Sequence, residues 1–237
     1  MREEKHFFEG YELTAAGTVR PSSIMRRLQE IAGRDLDSFG VTYQDLRDRN
    51  MAFVISKIAI DFQRPLYEKV LYTITTSAQE THGATFPRSF VISDEKGVVC
   101  RVNSLWALLD FEKRKLLRAT ALGDDLVHFP DLSDGLSCER LFKPKDQEMI
   151  FGETRKVYAS MLDRNHHLNN CNYADLATDL FPEQCGSEKE IHITFQKEAR
   201  LADEINLEAF SDPDGVVISG EFSGGEETCF LCKIKYF

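Results

Sequence analysis

The stretch from Asp163 to Asn172 reads DRNHHLNNCN and gathers a carboxylate, four amides and two adjacent imidazoles. Such a set can do chemistry. An imidazole donates or accepts a proton near neutral pH, a carboxylate can take a proton from water, and amide groups can hold a carbonyl or the oxyanion formed from it. Hydrolysis of an activated carbonyl uses all three. Part of the cluster has a plainer reading, since one of Asn169, Asn170 or Asn172 is expected to cap the helix that follows. Capping leaves Asp163, Asn165 and His167 unexplained.

The elements that must position these residues come next. Tyr173, Leu176, Ala177 and Leu180 stand at i, i+3, i+4 and i+7, which predicts an amphipathic helix ending before Pro182. Its first free backbone N–H groups, near Asn170 to Tyr173, would favour a negatively charged oxygen. EIHITF and EINLEAF then alternate as strands do, and a hairpin turning at Gly224 and Gly225 closes the chain.

The same order occurs earlier. PSSIMRRLQEIAGRDL, residues 21–36, carries an apolar stripe of Ile24, Leu28, Ile31 and Ala32. Strand patterns follow in SKIAIDF and EKVLYTITT, then a hairpin turning near Lys96 and Gly97. IDFQR at 60–64 and ITFQK at 193–197 hold the same rank in the two halves, as a duplication would leave them. A helix followed by antiparallel strands, twice, predicts an α+β fold of two like domains. We set these at residues 1–125 and 151–237, joined by an Asp-, Gly-, Ser- and Pro-rich linker over 126–150. Each half is small, so the two should pack together, with the site between them.

Composition narrows the function. A chain of 237 residues with 42% hydrophobic residues supports a packed core, and a net charge of -10 disfavours nonspecific binding to nucleic acid or anionic membrane. No apolar run approaches membrane-spanning length, and the opening MREEKHFFEG lacks the apolar core of a signal peptide, so a cytoplasmic location is expected. The six cysteines read as free thiols. Cys229 and Cys232 form a C-x-x-C within a strand pattern, where they would face opposite sides, and Cys171 reads as a packing residue. No metal and no cofactor is expected.

The pattern D-x-N-x-H-x-N-N, formed by Asp163, Asn165, His167, Asn169 and Asn170, resembles the active-site motif of acyl-ACP thioesterases. TFQKEA resembles that family's second segment and places Glu198 at its catalytic glutamate, with Ala199 where a cysteine usually stands. The order of helix and strand segments in the first half is similar to the family's as well. The resemblance implies a double hotdog, in which a curved antiparallel sheet wraps a long helix in each half. It also implies hydrolysis of fatty acyl-ACP thioesters to free fatty acid and holo-ACP. The register selects His167 over His166. On this likeness Asp163 and Glu198 activate and position water, His167 polarises the thioester or transfers a proton, and Asn165 contacts the substrate or its oxyanion. Asn169 and Asn170 are assigned to substrate binding. Alanine at 199 excludes a cysteine nucleophile there, which favours attack by water. The first half reads GTVRPSSIMRRL at its helix start and lacks the motif, so one active site per chain is expected.

The likeness also suggests that the first half forms an acyl tunnel, with Phe53, Ile55 and Trp106 as candidate walls, each of which is equally well plain core. An acidic enzyme meeting an acidic carrier needs a local basic patch. Lys113, Arg114, Lys115 and Arg118 are the densest cluster, with Arg26 and Arg27 as a second candidate. The chain is expected to act as a monomer or homodimer. Two rivals stay open: a hotdog thioesterase acting on acyl-CoA, and a non-catalytic acyl-binding module.

Overall fold

The structure is a computed structural model that describes residues 1–122, 128–225 and 227–237. The expected boundary between first half and linker, at 125 and 126, lies outside the described residues. Among the described residues no helix is long and apolar enough to cross a membrane.

Two helices mark the two halves. Helix α1 spans Pro21–Asp37 and opens on Pro21, whose fixed φ suits a first helical turn. Its Ile24, Met25, Leu28 and Ile31 are all 2% exposed or less. Burying four such side chains contributes on the order of 6–12 kcal/mol before chain entropy is set against it. The short helix α2 spans Tyr43–Asp48. Helix α3, Asn172–Thr178, is the second amphipathic helix and ends ahead of Pro182, as its pattern predicts.

The strands of the first half are β1 (Arg2–His6), β2 (Met51–Phe62), β3 (Tyr72–Ala78), β4 (Thr85–Asp94), β5 (Gly97–Asp110) and the short β6 (Lys115–Leu117). Those of the second are β7 (Met149–Lys156), β8 (Glu188–Phe195), β9 (Glu204–Asp212), β10 (Gly215–Phe222) and β11 (Thr228–Tyr236). They form one sheet in the order β1-β3-β4-β5-β2-β8-β11-β10-β9-β7, with β6 added to β5. This order is a palindrome. The halves meet where β2 pairs antiparallel with β8, in the register Ile58↔Ile193, Ala59↔His192 and Ile60↔Ile191. Because IDFQR and ITFQK begin at 60 and 193, Ala59 and His192 are equivalent positions that face each other. An approximate two-fold axis therefore passes between them, and the main core fills the space between α1, α3 and the sheet.

Several elements lie outside the sequence expectation, α2 and β6 among them. β1 reads REEKH, with no apolar face to announce it, and pairs with β3 as a charged edge strand. β7 begins at Met149, inside the predicted linker. Lys143 in that linker pairs with Glu208 and Glu221 of the second half, at 2.6 and 2.8 Å, and residues 130–136 are a strap on the face of the first half turned away from α1. There Ser77 Oγ donates to the Pro130 carbonyl at 2.7 Å, the Leu132 N–H to Ser89 Oγ at 2.9 Å, and Asn103 Nδ2 to the Leu136 carbonyl at 2.8 Å.

Candidate active site

The cluster that opens the sequence argument folds into a tight turn. Leu162 and Leu168 bridge its ends, the Asp163 N–H donates to the His167 carbonyl at 2.8 Å, and the His166 N–H donates back to the Asp163 carbonyl at 3.1 Å. His166 takes the left-handed bend at φ 63° and is exposed, which puts it at the periphery. The Asp163 carboxylate ties the turn from inside. Its Oδ1 accepts the N–H groups of Asn165 at 2.8 Å and His167 at 3.1 Å, while Oδ2 accepts Asn165 Nδ2 at 3.4 Å. Most of its acceptor capacity is thus committed to shaping the loop that presents His167 and Asn165.

The turn lies against the chain leaving β8. His167 bridges Arg200, and the Leu168 N–H donates to the Ala199 carbonyl at 2.7 Å. This brings His167 Nε2 to 3.3 Å from Glu198 Oε2. Glu198 lies beyond the regular strand: β8 stops at Phe195, and the N–H groups of Gln196 and Lys197 both donate to the Cys229 carbonyl, at 2.9 and 3.1 Å. Two successive donors on one acceptor interrupt the strand alternation, so Glu198 is aimed by this irregularity and not by its count from Ile193. Its side chain is 55% exposed and that of His167 20%. Ala199 is fully buried, and its N–H donates to the Tyr173 hydroxyl at 3.2 Å. Tyr173 in turn packs edge-on against Phe195 and Phe230. A side chain at 199 therefore faces the core. Cys171 is buried too, and burial pushes its thiol up to about 12, far from a thiolate at neutral pH.

Two of the donors expected at the start of the second helix are used within the molecule. The Cys171 N–H donates to Asn169 Oδ1 at 3.0 Å and the Asn172 N–H to the Asn169 carbonyl at 2.9 Å. Asn169 therefore satisfies the helix start, while Asn172 holds the Met161 carbonyl through Nδ2 at 2.7 Å. Asn170 is half-buried in the bend between them.

A cavity of about 380 Å3 opens beside Asn165 and runs into the first half. Phe53 and Trp106 line it. Ile55 does not: two residues farther along the same face of β2, it is absent from the lining, is 5% exposed and belongs to the main core. Tyr43, at the start of α2, reaches the mouth and donates its hydroxyl to Asn165 Oδ1 at 3.2 Å, with the Arg164 guanidinium 3.8 Å over its ring. Sequence reasoning missed both residues. A signal existed, since Thr42 and Asp45 form a capping box ahead of α2, but nothing in VTYQDL tells which partner Tyr43 meets.

The basic cluster is exposed on the hairpin between β5 and β6, where Lys113 pairs with Asp110 at 3.3 Å. Phe111 in this hairpin donates its N–H to the Asn50 carbonyl at 2.9 Å and lies under Arg47 at 5.1 Å. Arg47 and Tyr43 sit at opposite ends of α2, so the hairpin is one short helix, roughly 9 Å, from the cavity mouth. The second docking candidate is occupied within the molecule. Arg26 donates to Asn172 Oδ1 at 2.5 Å and pairs with Asp175 at 3.4 Å, and Arg27 pairs with Glu4 at 2.7 Å.

The first half repeats the turn without its chemistry. Positions 149 residues apart superpose their bonds: the Thr14 N–H donates to the Thr18 carbonyl at 2.7 Å, the Gly17 N–H to the Thr14 carbonyl at 3.0 Å, and the Ala16 N–H to Thr14 Oγ1 at 3.2 Å. Thr14, Ala16 and Thr18 thus occupy the places of Asp163, Asn165 and His167. Pro65 takes the place of Glu198, since the Val19 N–H donates to the Leu66 carbonyl as Leu168 does to Ala199.

The sequence matches the acyl-ACP thioesterase N-terminal domain over residues 3–127 and the acyl-ACP thioesterase C-terminal domain over residues 145–232. The chain belongs to the acyl-ACP thioesterase family. It is a thioester hydrolase that releases fatty acid from acyl-ACP, and its fold is the double hotdog. Among solved structures, the thioesterase is similar to an acyl-ACP thioesterase from Bacteroides thetaiotaomicron, with TM-score 0.87 and 18% identity over 100% of this chain and 97% of that one. It is similar as well to the 12:0-ACP thioesterase from Umbellularia californica, with TM-score 0.84 and 15% identity over 100% and 96%. A search of curated proteins finds no match to the sequence.

Proposed function

We propose that Glu198 is the general base of this hydrolysis and that His167 and Asn165 complete the site. The 3.3 Å approach of His167 Nε2 to Glu198 Oε2 carries the reading. Glu198 takes a proton from water as its oxygen bonds the thioester carbon. His167 orients the carboxylate and shares the proton, and Asn165 donates through Nδ2 to the oxyanion. The C–S bond then breaks, the sulfur takes the proton from Glu198, and free acid and carrier thiol leave. Asp163 is the positioning residue of the turn and not a second base, because its carboxylate is already bonded to two backbone N–H groups. The exposed cations Lys113, Arg114, Lys115 and Arg118 receive the acidic carrier, at the other end of α2 from the mouth. Residues 1–125 hold the acyl chain, 126–150 connect, and 151–237 carry the chemistry. The site is complete within one chain, which we read as the working unit. Six free cysteines accord with a cytoplasmic setting.

The test is thiol release from acyl-ACP by Glu198→Gln and His167→Ala. Each is expected to lose about 10²–10⁴-fold in kcat while melting within a few degrees of the parent. Rates near the parent's in both folded variants would overturn the assignment.

A further inference from the structure

The cavity carries one half of a buried ion pair in its lining. From its mouth the cavity crosses four neighbouring strands, with Phe53 on β2, Trp106 on β5, Phe86 on β4 and Ala78 on β3. The walls near the mouth are aromatic. Farther in, Arg88 of β4 reaches the lining, only 9% exposed, and its Nη1 donates to Asp35 Oδ2 at 2.7 Å and to Thr76 Oγ1 at 3.0 Å. Asp35 belongs to α1 and is 1% exposed, so the guanidinium is clamped between helix and sheet. Around it the lining turns polar, with Gln79 and His128. A methylene passing the aromatic walls leaves water for apolar contact; one that reaches Arg88 meets a charged, hydrogen-bonded group and gains no such contact.

We infer that the Arg88–Asp35 pair is the specificity determinant that limits the acyl group to medium length. This rests on the thioesterase reading. Arg88 stands two strand spacings from β2 and the far wall three, which is ~10–14 Å. An extended chain advances ~1.2 Å per bond, so roughly 8–12 bonds fit, the span of octanoyl to dodecanoyl groups.

Two measurements test it. In the first, free fatty acids from hexanoate to stearate displace a fluorescent fatty acid from the parent protein. Affinity should rise about fourfold per methylene up to decanoate or dodecanoate and then level off. A rise that continues through stearate overturns the inference. In the second, the same lengths are offered as acyl-ACP to the parent and to the paired variant Asp35→Leu with Arg88→Met, which removes both charges together and leaves neither stranded. The ratio of kcat/KM for palmitoyl-ACP to that for dodecanoyl-ACP should increase at least about tenfold, since two or more added methylenes now meet an apolar wall. An unchanged ratio in the folded variant also overturns it. Failure of the parent to cleave any acyl-ACP would instead sink the hydrolase reading, and the binding series would still decide the length limit.

Discussion

Replacing Asp163 by alanine and by asparagine separates a base from a turn-builder. The Asp163 carboxylate accepts two backbone N–H groups, at 2.8 and 3.1 Å, in a partly exposed loop. A hydrogen bond to a charged acceptor is worth about 1.5–3 kcal/mol net, and screening by solvent at this partly exposed loop brings each below that range, to about 1 kcal/mol. Asp163→Ala then loses about 2 kcal/mol of preference for the working turn, which populates it about 30-fold less. Asp163→Asn keeps an oxygen at the Oδ1 position, and a neutral acceptor is about half as strong as a charged one. That variant should lose only about 1 kcal/mol, or about fivefold. Were Asp163 the base, both variants would fall together by about 10²–10⁴-fold. The assay is kcat/KM for acyl-ACP by thiol release, with amide exchange at His166 and His167 reporting the turn itself. Equal inactivity of the asparagine and alanine variants, with the His167 amide still protected in the former, would refute the reasoning.

Tyr43→Phe removes one hydrogen bond to Asn165 and keeps the ring under Arg164; kcat should fall about fivefold with the melting temperature nearly unchanged, and an unchanged kcat would remove Tyr43 from the site. Reversing charge at Lys113, Arg114 and Lys115 should raise KM for acyl-ACP and flatten its salt dependence. Turnover of an acyl-pantetheine lacking the carrier protein should stay constant, and an unaltered KM would show that the carrier docks elsewhere. Iodoacetamide on the native enzyme should leave activity intact, because Cys171 is buried and its thiol is pushed up to about 12; inactivation in step with labelling of Cys171 would contradict that.

The sequence disclosed what local pattern controls. Apolar spacing located α1 and α3, strand alternation located β2, β3, β8 and β9, and glycines marked the turns of the β4–β5 and β10–β11 hairpins. The crowding from Asp163 to Asn172 marked the loop whose His167 meets Glu198. What stayed hidden depends on partners far along the chain. The aim of Glu198 is fixed by Gln196 and Lys197 sharing the Cys229 carbonyl. The role of Asp163 follows from backbone geometry, which residue type alone does not reveal. Tyr43 enters the site from the other half. β1 was invisible because every residue in it is polar, and the strap over 130–136 because its bonds reach back to Ser77, Ser89 and Asn103.

Arg26 and Asp175 also stand 149 residues apart, yet they pair with each other across the approximate axis. In a dimer of identical subunits, whatever occupies such a place confronts its own copy, so a charge there is met by the same sign. Joining two copies in one polypeptide lifts that restriction. Each copy can then mutate alone, which lets cation answer anion at the seam and lets one cradle shed polar groups that its twin keeps.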